Sequence, residues 1–104
     1  MRHARASQRV RRRLRTRIDG YSSTFTIDVG GGGFSFQMNR PIAPGTVLSG
    51  SFHLEGAELP FVGRVAWIAP GDPKLRIPSR MGVAFTRPPA NERVLLEGAG
   101  SSAA

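Results

Sequence analysis

The chain has 104 residues, no cysteine and a formal net charge of +8 at pH 7. This length suits one domain with a single modest core, and the lack of cysteine excludes disulfides and thiolate metal sites. No apolar run reaches the roughly 18 residues of a membrane span, and no apolar segment follows the basic start. We therefore expect a cytoplasmic protein with no membrane insertion and no secretory signal.

The excess positive charge is confined to one N-terminal segment. Residues 1–17 contain eight arginines and no acid, whereas residues 18–104 contain seven basic and seven acidic residues. The planar guanidinium of arginine grips a phosphate or a guanine edge with two parallel hydrogen bonds. The charge pattern therefore predicts an anionic partner, which is a nucleic acid, a nucleotide or an acidic membrane surface.

Six short strands separated by turn signals are predicted along the chain. The first covers residues 10–18, where an apolar face alternates with a face of arginines, and Asp19-Gly20 marks the turn after it. In the second strand, residues 24–29, the same alternation predicts that the side chain of Phe25 points inward. The remaining strands are expected over residues 34–38, 47–55, 59–69 and 81–86.

The two ends of the chain lack the strand pattern. Residues 1–9 are predicted to form a flexible arm and residues 98–104 a disordered tail. A short helix is expected to begin at Asn91, which is a good N-cap residue. Residues 10–97 are then expected to form one all-β domain, a six-stranded antiparallel barrel with a short C-terminal helix.

Two motifs flank the first two predicted strands. Arg5-Ala6-Ser7-Gln8-Arg9 places two arginines four residues apart, and Asp28 precedes a run of glycines that includes Gly30 and Gly33. With the strand order and the later segments 63–67 and 80–85, these motifs resemble the PilZ domain, a family of bacterial receptors for cyclic di-GMP. The family pattern is Arg-x-x-x-Arg, then Asp/Asn-x-Ser-x-x-Gly, and glycine replaces the serine at position 30.

The resemblance implies a PilZ-type split barrel that takes cyclic di-GMP as its ligand and needs no other cofactor. Arg5 and Arg9 are then expected to clamp the phosphate and guanine groups. Asp28 is expected to accept hydrogen bonds from a guanine edge, while Gly30 and Gly33 allow the backbone to approach the ligand. Binding is expected to order the arm, and the output is expected to be contact with an unidentified effector protein.

Two further residues are secondary candidates for ligand binding. Arg13 is one because Arg9 and Arg13 have the same spacing as the first arginine pair. Trp67 is the other because its indole can stack on a guanine. Its alternation with Phe61 and Val65, however, favours burial of Trp67 in the core.

Enzymatic activity is not expected from this sequence. His3 and His53 have no partners at metal-ligand spacing, and no serine is paired with a base, so the sequence predicts neither a metal site nor catalytic residues. Two alternatives to the receptor remain open. One is a PilZ-type adaptor that binds no ligand, which is favoured by the replacement of the family serine by Gly30. The other is a small barrel that binds nucleic acid, the less favoured partner, through its arginine-rich arm.

Overall fold

The structure is a computed structural model that describes residues 9–90. Within this range the chain forms seven strands, and a 3-10 turn at Pro73–Leu75 lies between the last two. The strands are β1 (Arg9–Arg11), β2 (Arg15–Ile18), β3 (Thr24–Gly30), β4 (Gly33–Met38), β5 (Val47–Leu54), β6 (Ala57–Ala69) and β7 (Ser79–Arg87). No helix formed by residues 9–90 is long and apolar enough to cross a membrane.

Several expectations concern residues outside this described range. They are the arm up to residue 8 with Arg5, the helix from Asn91 and the tail at 98–104. Arg9 was expected in the arm but is the first residue of β1, where its backbone pairs with Gly30 of β3.

Six antiparallel strands close into a barrel. Strands β3, β2, β5, β6, β7 and β4 are paired in this order, and β4 returns to β3. Among the described strands, β1 pairs with β3 alone and therefore lies outside the closed ring. The predicted six-stranded antiparallel barrel is confirmed.

The predicted first strand is divided into β1 and β2 by a break at residues 12–14. The hydroxyl of Thr26 accepts a hydrogen bond from the Leu14 backbone at 2.9 Å and donates one to the Arg12 carbonyl at 2.5 Å. The Thr26 side chain thus replaces part of the regular hydrogen-bond ladder to β3, and both β1 and β2 run antiparallel to β3 on either side of the break. Leu14 and Ile18 are buried and the arginines between them are exposed, as the alternation predicts.

The core is built around the ring of Phe34, which is fully buried. Its centroid lies within 5.9 Å of those of four other phenylalanine rings, two of them in edge-to-face geometry. Such aromatic pairs add to the stabilisation that burial of their surface already provides. The four rings are those of Phe36, Phe52, Phe61 and Phe85.

A β-bulge reverses the predicted inward direction of Phe25. This residue is 40% exposed, whereas its neighbour Thr26 is only 3% exposed. Thr26 lies opposite Phe36 on β4 but Asp28 lies opposite the preceding residue, so Ile27 is an extra residue in β3. An extra residue shifts the two-residue alternation by one position, which turns Phe25 outward.

The prediction that Trp67 is buried in the core is wrong, because a second bulge turns its side chain outward. Val65 lies opposite Val83, and Trp67 lies opposite Gly82, so one residue of β6 is unmatched between them. Trp67 is therefore on the outer surface and is 42% exposed. A Cβ atom at position 82 would collide with the indole ring, so the glycine allows this ring to lie across β7.

Candidate functional site

The carboxylate of Asp28 is the centre of a small polar cluster on the outside of the barrel. The Nη1 atom of Arg9 lies 2.5 Å from its Oδ1 atom, and the hydroxyl of Ser35 donates a hydrogen bond to the same oxygen at 2.9 Å. The Arg9 and Asp28 side chains remain 41% and 29% exposed. Both charged groups are thus held in place but can still be reached from solvent.

Strand pairing explains why these three side chains meet. β3 lies between β1 and β4 at this point, with Arg11 opposite Asp28 on one side and Ser35 opposite it on the other. Arg9 lies two residues before Arg11 on β1, opposite Gly30. Arg9 is therefore a diagonal neighbour of Asp28 on the adjacent strand. A long side chain can span this separation, so the guanidinium of Arg9 reaches the carboxylate of Asp28.

Ser35 is a site residue that the sequence reasoning missed. Its position follows from the glycine turn, because Gly30 pairs with Gly33 across a two-residue connection. Counting back two residues on β3 and forward two residues on β4 brings Asp28 opposite Ser35. The register of the hairpin was therefore the signal that could have identified this serine.

The glycines named as candidates have structural roles of their own. A Cβ atom at Gly33 would collide with the carbonyl oxygen of Val83, so the close approach of β4 to β7 requires glycine there. Gly30 is buried where β3 lies between β1 and β4. The carbonyl of Gly32 accepts a hydrogen bond from the Phe85 backbone at 2.9 Å, which ties the turn to β7.

A cavity of about 160 Å³ lies beside this cluster, and Arg9 and Trp67 both line it. The rest of its wall comes from the Gly32-Gly33 backbone and from small residues of β6 and β7, including Gly82. Arg9 thus contacts the carboxylate of Asp28 and also borders the cavity. The arrangement offers a cation, a carboxylate and an aromatic surface within one region of the barrel surface.

The remaining candidates lie elsewhere or outside the described range. Arg13 is not at the cavity, because its guanidinium lies over the ring of Phe25, 4.1 Å from the ring centroid. Arg5 falls in the undescribed part of the arm. Residues 9–90 contain no group of three or more His, Asp or Glu side chains arranged to hold a metal ion.

Comparisons with known proteins agree with the architecture. A family model described as PilZ domain matches residues 2–99. Among solved structures, the chain is similar to the Bacillus subtilis inhibitor of motility MotI/DgrA, with a TM-score of 0.72 and 18% sequence identity. The match covers 88% of this chain and 47% of that one, so the chain spans about half the length of MotI/DgrA. At this identity the likeness shows a shared fold. No curated protein matches the chain.

Proposed function

The chain belongs to the PilZ domain family, a family of cyclic di-GMP receptors, and from this premise we propose that it binds cyclic di-GMP at the Arg9–Asp28 cluster. PilZ domains are binding and adaptor domains, which confirms the expectation of a binding protein without enzymatic activity. The observation that carries the proposal is the contact between Arg9 and Asp28 at the edge of a cavity lined by Trp67.

Each group of the cluster complements one part of the ligand. A guanine presents the acceptors O6 and N7 on one edge, which a guanidinium such as that of Arg9 matches with two hydrogen bonds. Its other edge presents N–H donors, which a carboxylate accepts. A carboxylate has roughly four lone-pair sites, so Asp28 keeps acceptor capacity beyond its bonds to Arg9 and Ser35. The ligand phosphates are dianionic in total and favour the surrounding arginines.

Trp67 and the cavity complement a base rather than the whole ligand. The volume of about 160 Å³ is close to that of one purine and much smaller than a cyclic dinucleotide. Stacking of a base on an aromatic side chain contributes about 1–3 kcal/mol in nucleic-acid complexes. We therefore assign one guanine to the cavity, against Trp67, and the remainder of the ligand to the exposed surface around Asp28.

The arginine-rich arm completes the proposed site. Arg5 is the second clamp residue implied by the family motif, and ordering of the arm around the ligand would convert binding into a new surface for an effector protein. The proposed setting is the bacterial cytoplasm, where cyclic di-GMP acts as a second messenger. The proposed effector is a protein partner.

A second candidate function is an adaptor that binds no nucleotide. It is favoured by Gly30, which lacks the hydroxyl of the family serine, and by the pairing of Arg9 with Asp28, because each group already satisfies the other. Cyclic di-GMP must replace this pairing in order to bind. The net gain on binding is therefore smaller than the sum of the new contacts.

Calorimetric titration with cyclic di-GMP distinguishes the two functions. We expect saturable binding by the wild type, selectivity over GTP at physiological salt, and affinity about tenfold weaker or more in Asp28→Ala. Glu55→Asn is the matched control, since it removes a carboxylate from an exposed turn between β5 and β6. No heat with the wild type would favour the adaptor, and equal binding by Asp28→Ala would show that the arginines act as a nonspecific charge attraction.

A further inference from the structure

A second concave surface lies on the outside of the barrel near the start of β3, separate from the cavity at Trp67. Its volume is about 1220 Å³, and the two surfaces share no lining residue among those described. We call it the β3 groove. The residues that characterise it are Arg11, Arg13, Tyr21, Phe25, Arg40 and Pro78.

Arginine side chains give the described lining of the β3 groove a positive charge. Arg11, Arg13 and Arg40 contribute to its lining, and none of its described lining residues is acidic. Among residues 9–90, the ion pairs join Arg9 to Asp28, Arg17 to Asp19 and His53 to Glu58, and none of them involves a groove arginine. The groove therefore attracts a negatively charged partner and repels a basic one.

The groove also exposes large apolar side chains. Tyr21 is 44% exposed, and Phe25 is turned outward by the bulge at Ile27. The guanidinium of Arg13 lies 4.1 Å from the centroid of the Phe25 ring, within the range of a cation–π interaction. Exposed aromatic residues next to arginine are typical of the central residues of protein interfaces.

The segment from Arg9 to Arg13 contributes side chains both to the proposed ligand site and to the groove. In the run from Arg9 to Arg13, every second side chain is exposed on the same face. Arg9 contacts Asp28, whereas Arg11 and Arg13 line the groove. A change in the position of β1 at the ligand site would therefore also move a wall of the groove.

We propose that the β3 groove binds an acidic segment of a partner protein that carries aromatic or aliphatic side chains among its carboxylates. The arginines complement the carboxylates, and the apolar lining, which includes Met38 and Pro78, accommodates the apolar side chains. RNA fits less well, because Arg13 already covers one ring face of Phe25 and the RNA bases have no aliphatic group to fill the apolar lining. The described residues that line the groove differ from those that line the cavity at Trp67, so the two binding sites can be tested separately.

Fluorescence anisotropy of a labelled Glu-Asp-Phe-Glu-Leu-Asp-Glu peptide with the full chain tests the proposal. We expect saturable binding in the micromolar range that is typical of transient contacts, and affinity about tenfold weaker or more in Arg40→Glu. Phe25→Ala is a second variant, which removes the aromatic surface and keeps the charge. Arg87→Glu is the matched control, because this exposed residue lies at the opposite end of β7 from the groove.

Three results would overturn the proposal. They are equal peptide affinity in Arg40→Glu and the wild type, tighter binding of a short oligouridylate than of the peptide, and self-association of the protein that Arg40→Glu abolishes. The last two would assign the groove to a nucleic acid or to a second copy of this chain. Equal binding of a peptide with serine in place of Phe and Leu would also contradict the apolar part of the proposal.

The same variants separate this proposal from the nucleotide-binding function. Arg40→Glu is expected to retain cyclic di-GMP binding, and Asp28→Ala is expected to retain peptide binding. Unchanged thermal unfolding of Arg40→Glu establishes that a loss of peptide binding is local. Failure of the peptide to bind, together with normal cyclic di-GMP binding, would contradict the groove proposal alone.

Discussion

Arg9 and Asp28 are separated by 19 positions in sequence, yet their guanidinium and carboxylate groups are 2.5 Å apart. The contact joins the first residue of β1 to β3 and neutralises both groups in the absence of a ligand. Both side chains are partly exposed, and ion pairs of this kind contribute only about 0–1 kcal/mol to stability. The pair is therefore better suited to exchange partners than to hold the barrel together.

We accordingly expect Asp28→Asn to separate stability from ligand binding. The free energy of unfolding should change by less than about 1 kcal/mol, because an exposed ion pair contributes little. The affinity for cyclic di-GMP should fall about tenfold, because an amide is a weaker acceptor than a carboxylate and also carries donors. Urea denaturation and calorimetry measure the two effects. A large loss of stability would show that the carboxylate has mainly a structural role.

Trp67 provides a direct probe of the cavity, because it is the one tryptophan in the chain. Cyclic di-GMP should change its fluorescence intensity in the wild type. Gly82→Ala should displace the indole, since the added Cβ atom would overlap it, and should change the emission of the free protein. It should also weaken ligand binding. Fluorescence that does not respond to saturating ligand would contradict the placement of a guanine against Trp67.

Gly30→Ser restores the hydroxyl of the family motif. Along β3, position 30 is two residues after Asp28 and has the same outward direction, so the hydroxyl would lie on the ligand side. One added hydrogen bond contributes about 1 kcal/mol, so we expect several-fold tighter binding of cyclic di-GMP. Gly31→Ser is the matched control, since it adds the same group in the turn at a position outside the motif. Equal affinity of Gly30→Ser and the wild type would argue against the alignment with the family.

Two phenylalanines with opposite environments should differ strongly in their contribution to stability. Phe34 is fully buried among other rings, and Phe34→Ala is expected to lower the free energy of unfolding by about 3–5 kcal/mol. Phe25 is exposed, and Phe25→Ala should lower it by less than about 1 kcal/mol, including the loss of the contact with Arg13. Chemical denaturation of both variants tests the consequence of the bulge at Ile27.

The contacts of the Glu58 carboxyl group predict how its contribution to stability depends on pH. The hydrogen bonds from Ser51 at 2.6 Å and His53 at 2.9 Å lower its pKa below the ordinary value of 4.5. Because the unfolded state then binds the proton more readily, these contacts favour the folded state above pH 4.5. Their contribution is lost as the pH falls through the lowered pKa.

Ser51→Ala removes the main cause of this shift, so the pKa of Glu58 should move up towards its ordinary value. Titration of the side-chain carboxyl resonance by NMR measures the change. Ser49→Ala is the matched control, because the hydroxyl of Ser49 bonds to Asp19 instead. An unchanged Glu58 titration in Ser51→Ala would show that another contact controls this pKa.

The barrel architecture could be predicted from the sequence because its signals are local. Alternation of apolar and polar residues defines a strand within a few positions, and Asp19-Gly20 and the glycines at 30–33 mark the turns without reference to the rest of the chain. The exposed arginines of β1 and β2 and the buried Leu14 and Ile18 follow from the same alternation. The family motif directed attention to Asp28 and Arg9 for the same reason, since each part of it is a short run of residues.

Other features depend on how distant strands pair, and only the tertiary structure decided them. The extra residue at Ile27 is defined by the register of β3 against β4, and the bulge before Trp67 by the register of β6 against β7. No local pattern carries this information, so Phe25 and Trp67 were predicted inward and lie outside. These bulges turn Phe25 outward into the lining of the β3 groove and Trp67 outward into the lining of the cavity. A bulge reverses the direction of side chains without altering the composition on which sequence reasoning depends.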